Sequence, residues 1–364
     1  MRLLTVNLGS SSLKLSVVEG DQATEILAVP APGGRIDDGA LRATVDRASP
    51  FDAVVHRIVH GGTDFSDPVV VDERVRQRLE LLVDLAPLHL PVSLAGLDLV
   101  TRLVPDVPAV ACFDTAFHAT IPAAASTYAL PAEWRRRWAL RRFGFHGLSH
   151  SWATRRAAEL SGTRMEELAL VSCHLGAGAS LAAIQGGVSV DTTMGFTPLE
   201  GLVMATRSGS VDPGLVLWLE QHVGLPAAEL GAALEHRSGL VGLAGTPDMR
   251  QVLEAESSGD AEAALAVEIY LHRLRAAIAA MAAALGGLGV LVFTGGVGEQ
   301  AAPLRARAVA GLGFLGIALD DEANEHCAPD AEITAAGSEV RSFVITARED
   351  LEMARQATEL LQNP

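Results

Sequence analysis

Asn7-Leu8-Gly9-Ser10-Ser11-Ser12-Leu13-Lys14 lies between two short apolar runs, residues 3–6 and 13–18. An apolar run, a small-residue loop and a second apolar run predict a β-hairpin whose turn is built for more than packing. One Gly and three Ser leave little bulk between backbone N–H groups and a ligand. Hydroxyls and an ammonium at such a turn suit an anion, phosphate above all. The G-x-x-x-x-G-K-[ST] spacing of a Walker loop is absent, and taken alone the stretch is as readily an ordinary Ser-rich turn. The same order returns further along. Residues 168–172 are apolar, His174-Leu175-Gly176-Ala177-Gly178-Ala179-Ser180 follows, then residues 181–184 and Gly186-Gly187. Two such hairpins predict a duplicated α/β domain with a phosphate turn in each copy. A nucleotide held between two lobes is the simplest use of the pair.

Composition sets limits around that reading. A chain of 364 residues is long enough for two domains with sizeable cores. A net charge of −16 argues against nucleic acid or an anionic membrane surface as partner. Phosphate must then be held locally by Arg, Lys and backbone N–H groups. Cys112, Cys173 and Cys327 have neither metal nor redox spacing and fit a reducing cytosol. The chain opens on an expected strand rather than a signal peptide. Residues 276–293 carry no charge and have the length of a membrane span. Ala dominates their first half and Gly286-Gly287 breaks them, so they read as a helix end, a turn and a strand.

Along the chain, residues 21–50 are expected to hold short strands and a loop, and residues 51–59 a strand. Helical spacing is expected over 75–85 and 93–103. Residues 107–113 read as a buried strand ending in Asp114, a common catalytic position in open α/β sheets. The arginines of 134–142 read as a solvated face. A helix is expected over 152–160, capped by Ser149 or Ser151. Residues 191–209 have almost no helical or strand period, and long irregular segments in compact domains are usually functional. A long Ala-rich helix, or two, covers 254–285. A strand over 291–294 runs into Gly295-Gly296-Val297-Gly298, a last strand holds Val344-Ile345, and a helix closes the chain.

Several constellations stand out. Gly296-Val297-Gly298-Glu299-Gln300-Ala301 fits a loose G-x-G-x-x-A form, which leaves a NAD-dependent dehydrogenase open; phosphate or nucleoside contact by the same turn is equally good physics. His146 and His150, like His56 and His60, are four apart, but no carboxylate completes a zinc site. Arg57 and Arg207 sit amid Gly and small residues, where paired guanidinium groups would neutralise a phosphoryl group in flight. Glu349 follows a strand and can hold Mg²⁺, or simply complement a helix dipole.

Taken together, residues 7–14, 56–62, 113–122, 144–150, 191–213, 238–250 and 293–299 resemble the acetate kinases, in order and over nearly the whole chain. The segment Val190-Asp191-Thr192-Thr193-Met194-Gly195-Phe196-Thr197-Pro198-Leu199-Glu200-Gly201 is the most specific part of the likeness. The resemblance implies an α/β, duplicated sugar kinase/Hsp70/actin-like (ribonuclease H-like) two-domain fold with an interdomain cleft. It also implies a homodimer, ATP/ADP and a short-chain carboxylate as substrates, and Mg²⁺ or Mn²⁺ as cofactor. By the same resemblance Asp114, Arg57, Arg207 and His146 are catalytic. Arg57, Val59, Leu88, Phe145 and Pro198 bind the acid, whose small pocket implies two or three carbons. Ser10, Ser12, Lys14, His174, Gly176 and Gly178 face the phosphates. Asp248, Met249, Arg250, Gly295, Gly296, Val297 and Gly298 face the nucleoside, and Asn7 and Glu349 the metal.

The chain departs from the family pattern at four places. His89-Leu90-Pro91-Val92-Ser93 stands where the family has His-Asn-Pro-Pro-Asn, Ala177 and Gln300 each replace Asn, and Ala347-Arg348 replaces Thr-Asn. An alanine at 177 offers no amide to a phosphate, a loss of about 1–3 kcal/mol. The expectation is a cytoplasmic acetate kinase. A propionate kinase, a pyrophosphate-dependent enzyme and a catalytically silent nucleotide-binding protein stand as alternatives. The expected lobes are 1–117 with 351–364, and 118–350.

Overall fold

The computed structural model describes residues 1–8, 12–30, 38–87 and 89–362. The chain forms two compact units. The first comprises Met1–Ala119, Phe145–Trp152 and Arg348–Pro364; the second comprises Thr120–Gly144 and Ala153–Ala347.

The first unit is built on strands β1 (Arg2–Leu8), β2 (Ser12–Glu19), β3 (Gln22–Pro30), β4 (Ala53–Ile58), β5 (Val69–Val70) and β6 (Ala109–Phe113). Their order in the sheet is β3-β2-β1-β4-β6-β5. The expected hairpin is there: β1 and β2 pair antiparallel, while β1, β4 and β6 run parallel. Side chains alternate across the sheet. Leu4, Val6, Leu8 and Val54 pack with Leu41, Val45 and Val100 from helices Asp38–Ala48 and Leu90–Leu103. Leu3, Ala53, Val55, Val110 and Cys112 face the other way, against Met353, Ala354 and Ala357 of the closing helix Glu349–Gln362.

The second unit repeats the plan. Strands β7 (Ala169–Leu175), β8 (Ala179–Gln185), β9 (Val188–Thr192), β10 (Val290–Thr294), β11 (Ala331–Glu332) and β12 (Arg341–Val344) have the order β11-β12-β10-β7-β8-β9. Read from the other edge, this is the first sheet again: three antiparallel strands, two parallel additions and a short antiparallel edge. Even the burial along β1 and β7 follows one pattern. Helix Ala261–Leu285 covers this sheet with Ala266, Val267, Leu271, Leu274 and Ile278, all buried. Asp260 caps it by accepting from Glu262 N and Ala263 N, and Gly286 ends it in the left-handed region. No helix among the described residues is long and apolar enough to cross a membrane.

Two local expectations differ from the structure. Residues 21–50 hold an eleven-residue helix, Asp38–Ala48, besides a strand. Its polar exposed face and Gly39 hide the Leu41/Val45 pair that faces the core. The helix expected from 152 begins at Gly147, so Ser149 and Ser151 lie within it rather than capping it. Ser151 Oγ instead donates to Glu352 Oε1 at 2.8 Å. The Ala-rich stretch, expected as one helix or two, is two, Met249–Ser257 and Ala261–Leu285.

Candidate functional site

In the first unit, the alternation that builds the core also builds a polar cluster. Asn7 follows Leu3 and Thr5 on β1, Arg57 follows Ala53 and Val55 on β4, and Asp114 follows Val110 and Cys112 at the end of β6. Three adjacent parallel strands thus place three polar side chains on one face, at their carboxyl ends. Helix Glu349–Gln362 packs on that face and brings Glu349 with its first turn.

The four side chains bond to one another. Arg57 donates from Nε to both Asp114 oxygens, at 3.0 and 3.1 Å, and from Nη2 to Oδ2 at 2.7 Å. Its Nη1 donates to Asn7 Oδ1 at 3.1 Å and lies 3.3 Å from Glu349 Oε2. Asn7 Nδ2 donates to that same Glu349 oxygen at 2.8 Å. Burial opposes charge on Arg57, but Asp114 and Glu349 outweigh it and hold the guanidinium above its ordinary value. Burial pushes the Asp114 carboxyl up, against the pull of Arg57. The fork-like contact is that of a guanidinium with an ionised carboxylate.

The backbone around Asp114 is fixed from the 144–150 segment. Gly147 N donates to Asp114 O at 2.8 Å, and a Cβ at Gly147 would overlap that carbonyl. His146, immediately before it, has φ +56°, a left-handed conformation that costs a non-glycine residue about 1–3 kcal/mol. Gly61 N donates to Thr115 Oγ1 at 3.0 Å, and His118 Nε2 meets Phe145 O at 3.0 Å. Val59 and Phe145 are buried in this unit, Phe145 edge-on to His60 at 5.4 Å. Ser12 and Lys14 lie on β2, Lys14 paired with Asn7 in the β1–β2 register. Ser10 and Leu88 lie outside the described residues.

In the second unit, Arg207 sits in the irregular stretch read as functional. Its Nη1 donates to Pro198 O at 2.7 Å. It has no ion-pair partner among the described residues, and burial lowers its pKa, with Glu235 pulling weakly the other way. The loop carrying Pro198 is braced by three side chains. Tyr128 Oη donates to Glu200 Oε2 at 2.6 Å and accepts from Phe196 N at 2.8 Å. Arg142 donates to Thr193 O, Met194 O and Glu200 Oε1 at 3.1, 2.9 and 2.8 Å. Sequence reading had Arg142 on a solvated face and passed over Tyr128. Only its place directly before Phe143-Gly144 sets Arg142 apart from the other arginines.

The same unit holds a cavity of about 760 Å³. Gly176 and Ala177, just past β7, and Gly296 and Val297, just past β10, form one side. Asp248, Met249 and Arg250, at the start of helix Met249–Ser257, form another. Arg250 is exposed and paired with Asp248 at 2.8 Å. Tyr270, whose buried hydroxyl has no partner among the described residues, and Gln300 complete the wall. The Gly295 turn is tied by Glu299, whose Oε1 accepts from Gly295 N at 3.0 Å and Ala347 N at 2.9 Å. Gly298 is buried beside Leu175. His174 lies on β7, one residue before its last, Leu175.

Two spacing-based readings gain nothing. Among the described residues no group of three His, Cys, Asp or Glu side chains is placed to hold a metal. His56 is buried in β4 with its Nε2 unpartnered among the described residues, an apolar-core position rather than a ligand's.

Comparison with known proteins bears on the family and the fold. A family model described as the Acetokinase family matches residues 36–355. A curated protein named acetate kinase from Gloeobacter violaceus is 48% identical, over 89% of this chain and 80% of that one. The crystal structure of Porphyromonas gingivalis acetate kinase superposes with a TM-score of 0.90 at 33% identity, covering 99% of both chains. A propionate kinase from Francisella tularensis gives 0.90 at 32% identity, over 98% of both. The duplicated sheets are therefore those of the actin-like sugar-kinase fold, and the late Gly turn is not a dehydrogenase's. On these grounds the chain belongs to the acetokinase family.

Proposed function

We propose that the protein transfers a phosphoryl group reversibly between ATP and acetate, giving ADP and acetyl phosphate with no covalent enzyme intermediate. The observation that carries this reading is Arg207, a half-buried guanidinium that has no carboxylate partner among the described residues. A buried cation without a counter-ion is costly until an anion arrives. A carboxylate or a moving phosphoryl group is such an anion.

In this reading Arg207 and Arg57 bind the acid's carboxylate and stabilise the equatorial oxygens in flight. Asp114 fixes Arg57 and the acceptor, and His146 donates to a phosphoryl oxygen. Val59, Leu88, Phe145 and Pro198 wall the short acyl chain. The acceptor oxygen attacks the terminal phosphorus as the bond to ADP breaks. Catalysis is mostly positioning and charge, and exclusion of water suppresses hydrolysis.

ATP-dependent kinases generally use a divalent cation, and Asn7 and Glu349 fit Mg²⁺ or Mn²⁺. They carry an amide oxygen, here accepting from Arg57, and a carboxylate, one oxygen of which here accepts from Asn7 and faces Arg57; both are hard donors of the kind Mg²⁺ takes one or two at a time beside phosphates and water. When bound, the ion supplies charge neutralisation on the phosphates. The cavity of about 760 Å³ supports a nucleotide rather than pyrophosphate as donor, since drug-sized ligands occupy pockets of about 300–1,000 Å³. Gln300 brings an amide to the same wall that Ala177 leaves without one.

We further propose a cytoplasmic homodimer. Pro213–Trp218 and the π-helical Leu219–Val223 bury none of their own side chains. Leu215, Leu217, Trp218 and Val223 are each about half exposed. Between Val211 and Pro226 the only titratable side chains are Asp212, Glu220 and His222. In a chain of charge −16, that nearly uncharged stripe is where two copies meet with least repulsion. Trp218→Glu is expected to convert the dimer to single chains in light scattering; an unchanged mass would sink this interface.

The activity is tested by trapping acyl phosphate as hydroxamate, crossing acetate, propionate and butyrate with ATP, GTP and pyrophosphate. Acetate with ATP is expected to lead. No acyl phosphate from any pair would end the kinase reading.

A further inference from the structure

The side chain of Arg207 has one hydrogen-bond acceptor among the described residues, the carbonyl of Pro198 at 2.7 Å. Its backbone is held separately, with Met204 N donating to Arg207 O at 3.1 Å. Where the guanidinium points therefore depends on where the Pro198 carbonyl is held.

That carbonyl belongs to a loop without regular structure, and the loop is shaped by groups whose hydrogen bonds among the described residues do not include the Arg207 side chain. Phe196 N, two residues before Pro198, is fixed by the Tyr128 hydroxyl at 2.8 Å. Glu200, two residues after, is fixed through both oxygens, by Tyr128 at 2.6 Å and Arg142 at 2.8 Å. Arg142 also holds the carbonyls of Thr193 and Met194, and its guanidinium lies 5.6 Å from the Tyr128 ring. Phe143 N and Gly144 N donate to Gly195 O at 3.0 and 3.3 Å. A Cβ at Gly195 would overlap both the Glu200 carboxylate and the Tyr128 hydroxyl. The brace is thus closed around a glycine, with Pro198 suspended between its two clamped points.

We propose that Tyr128, Glu200 and Arg142 are positioning residues for the phosphoryl transfer, acting through Pro198 to aim Arg207. The inference rests on the function proposed above, and it deepens that reading by naming what sets the reach of one of its two cations. Loss of the Tyr128 hydroxyl frees Phe196 N and one Glu200 oxygen together. Misplacement of a catalytic group by about 1 Å costs up to about 100-fold in rate.

The test is a double-mutant cycle of Tyr128→Phe with Arg207→Lys, read by kcat and by separate KM values for acetate and ATP. Tyr128→Phe alone is expected to lower kcat/KM for acetate about 10- to 100-fold while KM for ATP stays within about twofold. In the Arg207→Lys background the same substitution is expected to cost less than threefold, because its effect passes through the group already altered. Additive effects overturn the proposal, as does a matching rise in both KM values with a lowered melting temperature, the mark of a merely structural role. Where Tyr128→Phe does not fold, Glu200→Gln enters the same cycle with the same expected non-additivity. An active wild type with an additive cycle removes the brace alone; an inactive wild type removes the kinase reading and the brace with it.

Discussion

The two sheets share one plan and use their strand ends differently. With β1 ending at Leu8 and β7 at Leu175, the registers make Asn7 equivalent to His174, Arg57 to Thr294 and Asp114 to Ala347. The first unit puts charge at two of those three positions, and the second has no Arg, Lys, Asp or Glu at any of them. The two arginines differ in the same way. Arg57 is tied to two carboxylates, whereas Arg207 is tied to one carbonyl. A compensated cation is part of the fold as well as of the site. In the function proposed above, an uncompensated one adds no stability of its own and serves to meet an anion.

Replacing each arginine by Ala separates these roles. Both variants are expected to lose about 10³-fold or more in kcat. Arg57→Ala should in addition strand Asp114 in a site where it is almost fully buried, at about 3–5 kcal/mol of stability. Arg207→Ala should leave the denaturation midpoint nearly unchanged. Equal loss of stability in the two variants, by urea titration, would break the comparison. Gly147→Ala is a smaller blow to the charged unit. Its Cβ overlaps the Asp114 carbonyl, so kcat should fall about 10- to 100-fold with Arg207 untouched.

Acid should find the first unit next. His56, His60 and His118 are buried there, and burial lowers each ring to about 4 from the ordinary 6.5. Between these values the unfolded chain binds the protons and the folded chain does not. Stability is therefore full above about pH 6.5 and falls as pH drops towards 4, by roughly 1–3 kcal/mol per ring. Thermal melts from pH 7 to pH 4.5 should show this decline, and replacing His118 by Asn should flatten it; a flat wild-type profile would exclude the mechanism.

Much of this was legible because strand period and small-residue turns are local. The echo between residues 3–20 and 168–187 announced the duplication, and the apolar runs located β1, β4, β6, β7 and β10 to within a few residues. The Arg57, Asp114 and Glu349 cluster was less open to reading. Arg57 and Glu349 are separated by almost the whole chain, and only the packing of the closing helix on the sheet joins them. Tyr128 and Arg142 gave no signal, since an aromatic after a short helix and one arginine among several look like surface. Their meaning lies in Glu200, a contact made across more than fifty residues. Helix Asp38–Ala48 was missed because, of its described side chains, just Leu41 and Val45 are buried in the core, with Ala48 partly buried against it.

The stripe from Leu215 to Val223 carries one more consequence. A short helix that leaves most of its own apolar side chains exposed gains little solvent shielding from its own fold. If a second copy supplies the cover, the order of that segment obeys mass action, and dilution alone loosens it. Amide exchange over residues 213–223 would then quicken as the protein is diluted, while the strands of the second sheet keep their pace.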